Sequence, residues 1–166
     1  MKSVNNDCVT PCDLYRETPA RDFGLSPLEA QKRQSVAQET EKLLRQVIPG
    51  AKIRMFGSSV SGFGLCQGTD VNLDLTLPEG LPAHIGLTTA FQVILRCNFF
   101  SNVRHDFFAK IPLISFSFDG ADYELSMNNG NAIQTSKLLA DYAARDRSSF
   151  FTTYQYQIVK TQSRCI

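Results

Sequence analysis

From Ser26 onward the apolar positions recur with a helical period. Val36, Leu43, Leu44, Val47 and Ile48 share one stripe, with Lys, Arg, Gln and Glu elsewhere. Ser26 suits an N-cap, Pro27 the first helical position and Glu29 the reciprocal side of a capping box; Pro49-Gly50 ends the helix. Ala51 to Phe56 reads as a short strand, and Gly57 to Gly68 as a loop rich in Gly and Ser. The period then drops to two: Val71, Leu73 and Leu75 alternate with Asp70, Asn72 and Asp74, so one face of this strand must be buried while the other is polar. Pro82 to Asn98 predicts a helix, Val103 to Phe108 and Ile111 to Phe118 predict strands, and Asp119-Gly120 is a hairpin turn from which Tyr123 to Met127 pairs back. Ala132 to Ala144, with Leu138 and Leu139 apolar, and Ser149 to Lys160 predict two closing helices. The order α-β-β-α-β-β-β-α-α implies an α+β fold, a mixed sheet with helices on one face.

At 166 residues the chain suffices for one core of ordinary size. Residues 1–24 are polar, carry Pro11 and Pro19 and lack periodicity, which predicts a flexible leader. The formal net charge of +1 does not announce a nucleic-acid binder, so attraction to RNA would need a local patch, for which Lys52, Arg54, Arg96, Arg104 and Lys110 are candidates. The cysteines Cys8, Cys12, Cys66, Cys97 and Cys165 are scattered and odd in number, as for free thiols in a reducing cytoplasm. Cys8 and Cys12 have no second pair to complete a zinc finger, and the two histidines, His84 and His105, lie far downstream. His105 is read as a surface or packing residue, and Phe99, Phe100, Phe107, Phe108, Phe116 and Phe118 as core rather than an RNA-stacking platform. No apolar stretch approaches the ~20 residues that span a bilayer, and no membrane partner is expected.

The chemistry concentrates in Phe56-Gly57-Ser58-Ser59-Val60-Ser61-Gly62-Phe63-Gly64, followed by Thr69-Asp70-Val71-Asn72-Leu73-Asp74-Leu75. A Gly-Ser turn after a strand lets backbone N–H groups approach an anion closely. Polar side chains two apart on a strand share one face, as a metal site requires. This order resembles the polymerase-beta-like nucleotidyltransferases, in the branch of poly(A) polymerases and terminal RNA uridylyltransferases. There a Gly-Ser-Ser…Gly-Phe-Gly loop precedes Ser-Asp-x-Asp. The resemblance extends over His105-Asp106-Phe107-Phe108-Ala109-Lys110-Ile111-Pro112 and over Gly130-Asn131-Ala132…Thr135…Leu138-Leu139. It implies a nucleotidyltransferase palm over residues 25–148, with 149–166 the start of a truncated, PAP-associated helical region. It also implies a nucleotide-binding loop at Gly57, Ser58 and Ser59, and UMP or AMP transfer from UTP or ATP to an RNA 3′ end with Mg²⁺ or Mn²⁺ as cofactor.

The family's three metal-binding carboxylates map onto Asp70, Asn72 and Glu124. The second is thereby a neutral amide and the third a longer acid, so only Asp70 and Glu124 remain as metal ligands. A paired role for Asp70 and Asp74 is discounted, because four residues of strand separate them by about 13 Å. The run Asp-Val-Asn-x-Asp is also similar to the inactive N-terminal module of the zinc-knuckle terminal uridylyltransferases. That likeness implies a degenerate pseudoenzyme without a cofactor, which recruits a microRNA precursor and an RNA-binding protein partner. A weakly or conditionally active transferase is the alternative. Because active members need a further helical domain, the chain as read is not expected to act alone.

Overall fold

The computed structural model describes residues 25–64 and 70–145. Cys8, Cys12, Cys66, Cys165, the leader and the helix expected after Ser149 lie outside them. In chain order the elements are α1 (Pro27–Arg45), β1 (Lys52–Phe56), α2 (Ser58–Ser61), β2 (Val71–Thr76), α3 (Ala83–Arg96), β3 (Ser101–Asp106), β4 (Leu113–Phe118), β5 (Ala121–Met127) and α4 (Gly130–Arg145).

The strands form one mixed sheet in the order β1-β2-β5-β4-β3. β2 and β5 run parallel at its centre, and every other pairing is antiparallel. The period-two pattern puts Val71, Leu73 and Leu75 on the face that also carries Tyr123, Leu125, Ile114 and Phe116. Val36, Ala37, Leu44 and Ile48 of the first helical stretch and Leu87, Ala90 and Ile94 of α3 close over that face to make the core. α4 packs elsewhere, on α2 and β1.

α1 starts as its sequence predicts: Ser26 Oγ accepts from Glu29 N at 3.1 Å, behind Pro27. The Glu29 carboxylate, however, turns to Arg33, with Oε1 3.7 Å from Nε, rather than closing the box. The buried stripe is Arg33, Val36, Ala37, Thr40 and Leu44, with Val47 left exposed where the helix unwinds. The segment read as an irregular loop after Gly57 contains the single turn α2, because the amides of Val60 and Ser61 both close onto Gly57 O.

Two edges stay open in such a sheet. At β1, Ile53 N donates to Glu41 Oε2 at 2.7 Å, and Arg45 Nε donates to Ala51 O at 2.9 Å, so α1 side chains satisfy backbone that has no partner strand. At β3 the register slips between Ser101 and Arg104, with Asn102 at φ 51°. β3 starts two residues earlier than its hydrophobic pattern suggests, where Ser101 pairs with Ser117.

β3 also ends earlier than expected, at Asp106, because Asp106 Oδ1 accepts from the amides of Phe108 (3.1 Å) and Ala109 (2.9 Å) and folds the chain into a turn. Pro112 has no N–H to offer a ladder, and β4 begins only at Leu113. Phe108 is consequently 100% exposed and Phe99 is exposed as well, so neither joins the core expected of the six phenylalanines. Phe116 is buried, and Phe100, Phe107 and Phe118 pack at its margin.

The polar face of β2 departs from a solvated one at Asp74, which is 5% exposed. Its Oδ1 accepts from Asn129 N (2.9 Å) and Asn129 Nδ2 (3.3 Å), and Asn129 Nδ2 also donates to Ser126 Oγ at 2.7 Å. This ties the centre of the sheet to the entry of α4. Asp74→Ala is expected to cost about 1–3 kcal/mol, since Asn129 loses its acceptor in a buried place. Urea denaturation reads this as a lower midpoint at unchanged slope. Asp74→Asn keeps one acceptor oxygen and should lose less; a neutral alanine variant would return Asp74 to an ordinary surface carboxylate.

Candidate functional site

Parallel pairing sets Asn72 directly opposite Glu124, and Asp74 opposite Ser126. Neighbouring strands lie about 4.8 Å apart, so the Asn72 and Glu124 side chains leave the same face side by side. Asp70 stands two residues before Asn72, exposed, at the mouth of β2. The three residues expected to form the degenerate triad are thus brought together.

The Gly-Ser turn meets them from the β1 side. Phe56 is the cross-strand partner of Asn72. Gly57 has φ 78° and ψ −151°, a backbone state that is essentially glycine's alone. A Cβ there would lie 3.2 Å from Asn72 Nδ2, so the turn rests on the amide of the site. Gly57 N donates to Ser136 Oγ of α4 at 2.7 Å. Ser59 Oγ accepts from Arg33 Nη1 at 2.9 Å. Leu25 N donates to Gly64 O at 2.8 Å. Of the three expected nucleotide-loop residues, Gly57 lies against Asn72 and is held from α4, Ser59 is held from α1, and Ser58 stands between them on the turn.

Asp74, Ser136 and Arg33 were not anticipated as parts of this assembly. Arg33 had a signal, as the one charge on an otherwise small or apolar helical stripe. Asp74 and Ser136 had none, because their partners are 55 and 79 residues away. Of the candidate cations, Arg54 shares the polar face through its pairing with Asp74, and Arg104 through Ser115, which also pairs with Glu124. Arg96 ends α3 and Lys110 lies in the connection between β3 and β4, so neither is on a strand. His105 belongs to the opposite face. Its ring stacks on Phe107 at 4.4 Å and meets Phe91 edge-on at 4.5 Å, which is packing.

Burial, and then the charge of Asp70, push the Glu124 carboxyl above its ordinary value. A like charge disfavours the ionised form, so the Asp70 carboxylate adds to the effect of burial. Among the described residues no group of three or more His, Cys, Asp or Glu is placed to hold a metal ion. At this site Asn72 contributes an amide, which carries no charge and is a poorer ligand for a hard divalent ion than a carboxylate. The donor set does not fit a pair of divalent ions.

A titration follows. Between the ordinary glutamate value and the raised one, the folded protein binds more protons than the unfolded chain, so stability falls as pH rises through that window. Asp70→Asn is expected to bring the Glu124 carboxyl back toward its ordinary range in side-chain NMR and to flatten that part of the stability curve. An unmoved Glu124 would mean that the two groups do not interact.

Residues 17–144 match the family model of the mitochondrial-like poly(A) RNA polymerase central palm domain. Human terminal uridylyltransferase 7 is 28% identical over 145 residues, covering 83% of this chain and 10% of the relative. The Xenopus laevis poly(A) RNA polymerase GLD2-B is 27% identical over 126 residues, covering 72% and 25%. The chain thus spans a quarter or less of either curated relative. The crystal structure of mtPAP in complex with ATPγS superposes with a TM-score of 0.70 at 24% identity, over 77% of this chain and 31% of that one, which establishes the fold. The strand order, the Gly-Ser turn on the Asn72 amide and the match over residues 17–144 agree, and the chain belongs to the mitochondrial-like poly(A) RNA polymerase central palm domain family of nucleotidyltransferases.

Proposed function

We propose that this palm is a degenerate member of the terminal RNA nucleotidyltransferases, which holds RNA or an RNA-binding partner rather than transferring UMP or AMP. The observation that carries the reading is Asn72 opposite Glu124 at the centre of the sheet. In this family's reaction, divalent ions supply the charge that activates the RNA 3′-hydroxyl and neutralises pyrophosphate. Here the central ligand position is an amide, and Glu124 retains its proton more readily than an ordinary glutamate. The remaining polar face, with Arg54 and Arg104 at its two edges, suits contact with a phosphate backbone. A microRNA precursor with its bound protein is the proposed partner, and the cytoplasm the proposed place. No described helix is long and apolar enough to cross a membrane.

A weakly active transferase has one feature in its favour: Asp70 at the mouth of β2 and Glu124 opposite Asn72 keep two carboxylates at the site. Extension of an RNA primer with labelled UTP or ATP and Mg²⁺ or Mn²⁺, abolished by Asp70→Ala, would establish it in place of the inert reading.

The reversal Asn72→Asp separates the two. It should destabilise the metal-free protein slightly through repulsion between carboxylates, and Mg²⁺ or Mn²⁺ should restore the loss by binding only the folded state. A melting temperature raised by about 3–6 °C by the ion, against little change for the wild type, is expected at roughly tenfold saturation. Equal stabilisation of the wild type would show that Asn72 is not the lesion.

A further inference from the structure

The charges of this molecule are used unevenly. Every base of α1 meets a carboxylate: Lys32 pairs with Asp119, Arg33 with Glu29, Lys42 with Glu39 and Arg45 with Glu41. The run from α3 through β4, residues 83–118, is different. It carries Arg96, Arg104 and Lys110 but only one of the chain's 16 acids, Asp106. All three bases are exposed, and among the described residues none has a carboxylate partner. The lone acid is engaged by the fold itself, since Asp106 Oδ1 accepts from the amides of Phe108 and Ala109. These elements lie together at the β3 edge of the sheet: β3 pairs with β4, and Phe91 of α3 packs on His105 and Phe107.

On the turn after β3, Phe108 is fully exposed, between Arg104 and Lys110 in the chain. Exposure of one apolar side chain says little by itself. Here the ring stands on a turn fixed by Asp106, beside cations that nothing in the described fold neutralises. An acidic peptide would answer the cations and leave the ring in water. A nucleic-acid duplex would answer them too, but its bases are stacked on one another and offer the ring no free face. A single strand supplies both groups, phosphates for the bases of the protein and unstacked nucleobases for the ring.

We infer that the β3 edge is a binding surface for single-stranded RNA, on which Phe108 stacks an unpaired base while Arg104 and Lys110 take neighbouring phosphates. The inference rests on the RNA-holding half of the proposed function and adds a place and a form: a surface outside the Asn72–Glu124 pair, and a strand that is unpaired where it is held. Arg104 connects this surface to the polar face through Ser115. Recognition is tolerant of sequence, because every base has a face to stack.

The test is fluorescence anisotropy of the full chain with a labelled oligouridylate of about ten nucleotides, within the usual site size for single strands, and with the same strand annealed to its complement. Phe108→Ala should weaken the single strand about tenfold, the worth of one base–aromatic stack, at an unchanged melting temperature, since the ring is exposed. Phe108→Trp should restore the affinity. Arg104→Gln and Lys110→Gln should each reduce the slope of log affinity against log salt by about 0.7, one phosphate contact on a single strand. The duplex should be indifferent to Phe108→Ala. Equal single-strand affinities of Phe108→Ala and wild type overturn the inference, and RNA binding by that wild type leaves the polar-face reading standing. A wild type that binds neither form of RNA overturns both. Polyglutamate that binds as tightly as the oligouridylate, and is weakened equally by Phe108→Ala, would assign the surface to an acidic protein and likewise overturn the inference.

Discussion

Parallel pairing between β2 and β5 is the constraint on which the rest of this molecule depends. It joins strands separated by a helix, two further strands and a hairpin, and it sets Asn72 against Glu124 and Leu73 against Leu125 in one register. A slip by one residue would exchange the faces, sending Leu73 to solvent and Asn72 into the core. The core therefore protects the site's geometry: Val71, Leu73 and Leu75 fit under α1 and α3 in one phase only. A polar-face side chain such as Asn72 can change its chemistry without disturbing the apolar face, which holds the strand in place.

The Gly-Ser turn is built on a different logic. Nothing in its own sequence forces it to stay where it is. Leu25, just ahead of α1, and Arg33 within it hold the turn on one side and Ser136 holds it from α4, while Gly57 lies against Asn72 through the absence of a side chain. An alanine at Gly57 would have to adopt a strained backbone and also displace the amide. The turn and the strand are mutually fitted, so the two halves of the site cannot be understood separately.

Much of this was legible in the amino-acid order. Alternation at Val71 to Leu75 gave β2 and its faces, and Ser26-Pro27 gave the start of α1, because both signals are local. The association of Gly57 to Ser59 with Asp70 and Asn72 could be read because one short connection joins them. Glu124 came from family resemblance, since no periodicity indicates which strand will lie beside β2. What could not be read depends on tertiary partners. Asp74 is buried because Asn129 arrives from the far end of the sheet. Phe108 is exposed because a single carboxylate, Asp106, captures two amides and ends β3 early. Arg33 interrupts an apolar stripe, and Ser59, which accepts from its Nη1, is a tertiary partner that helps a charge to be tolerated there.

The treatment of the two outer strands has a consequence for how such a sheet behaves in a crowded solution. An open edge is a template on which another strand can add, and a mixed sheet has two. Along β1 the outward amide of Ile53 is engaged by Glu41, and the carbonyl of Ala51 by Arg45. Along β3 the bulge interrupts the ladder geometry, and Arg104 and Asp106 carry charge beside it. At both edges, then, the regular ladder is interrupted where these contacts and the bulge fall. Such interruptions work against strand-by-strand self-association, which is the hazard an exposed sheet edge would otherwise carry.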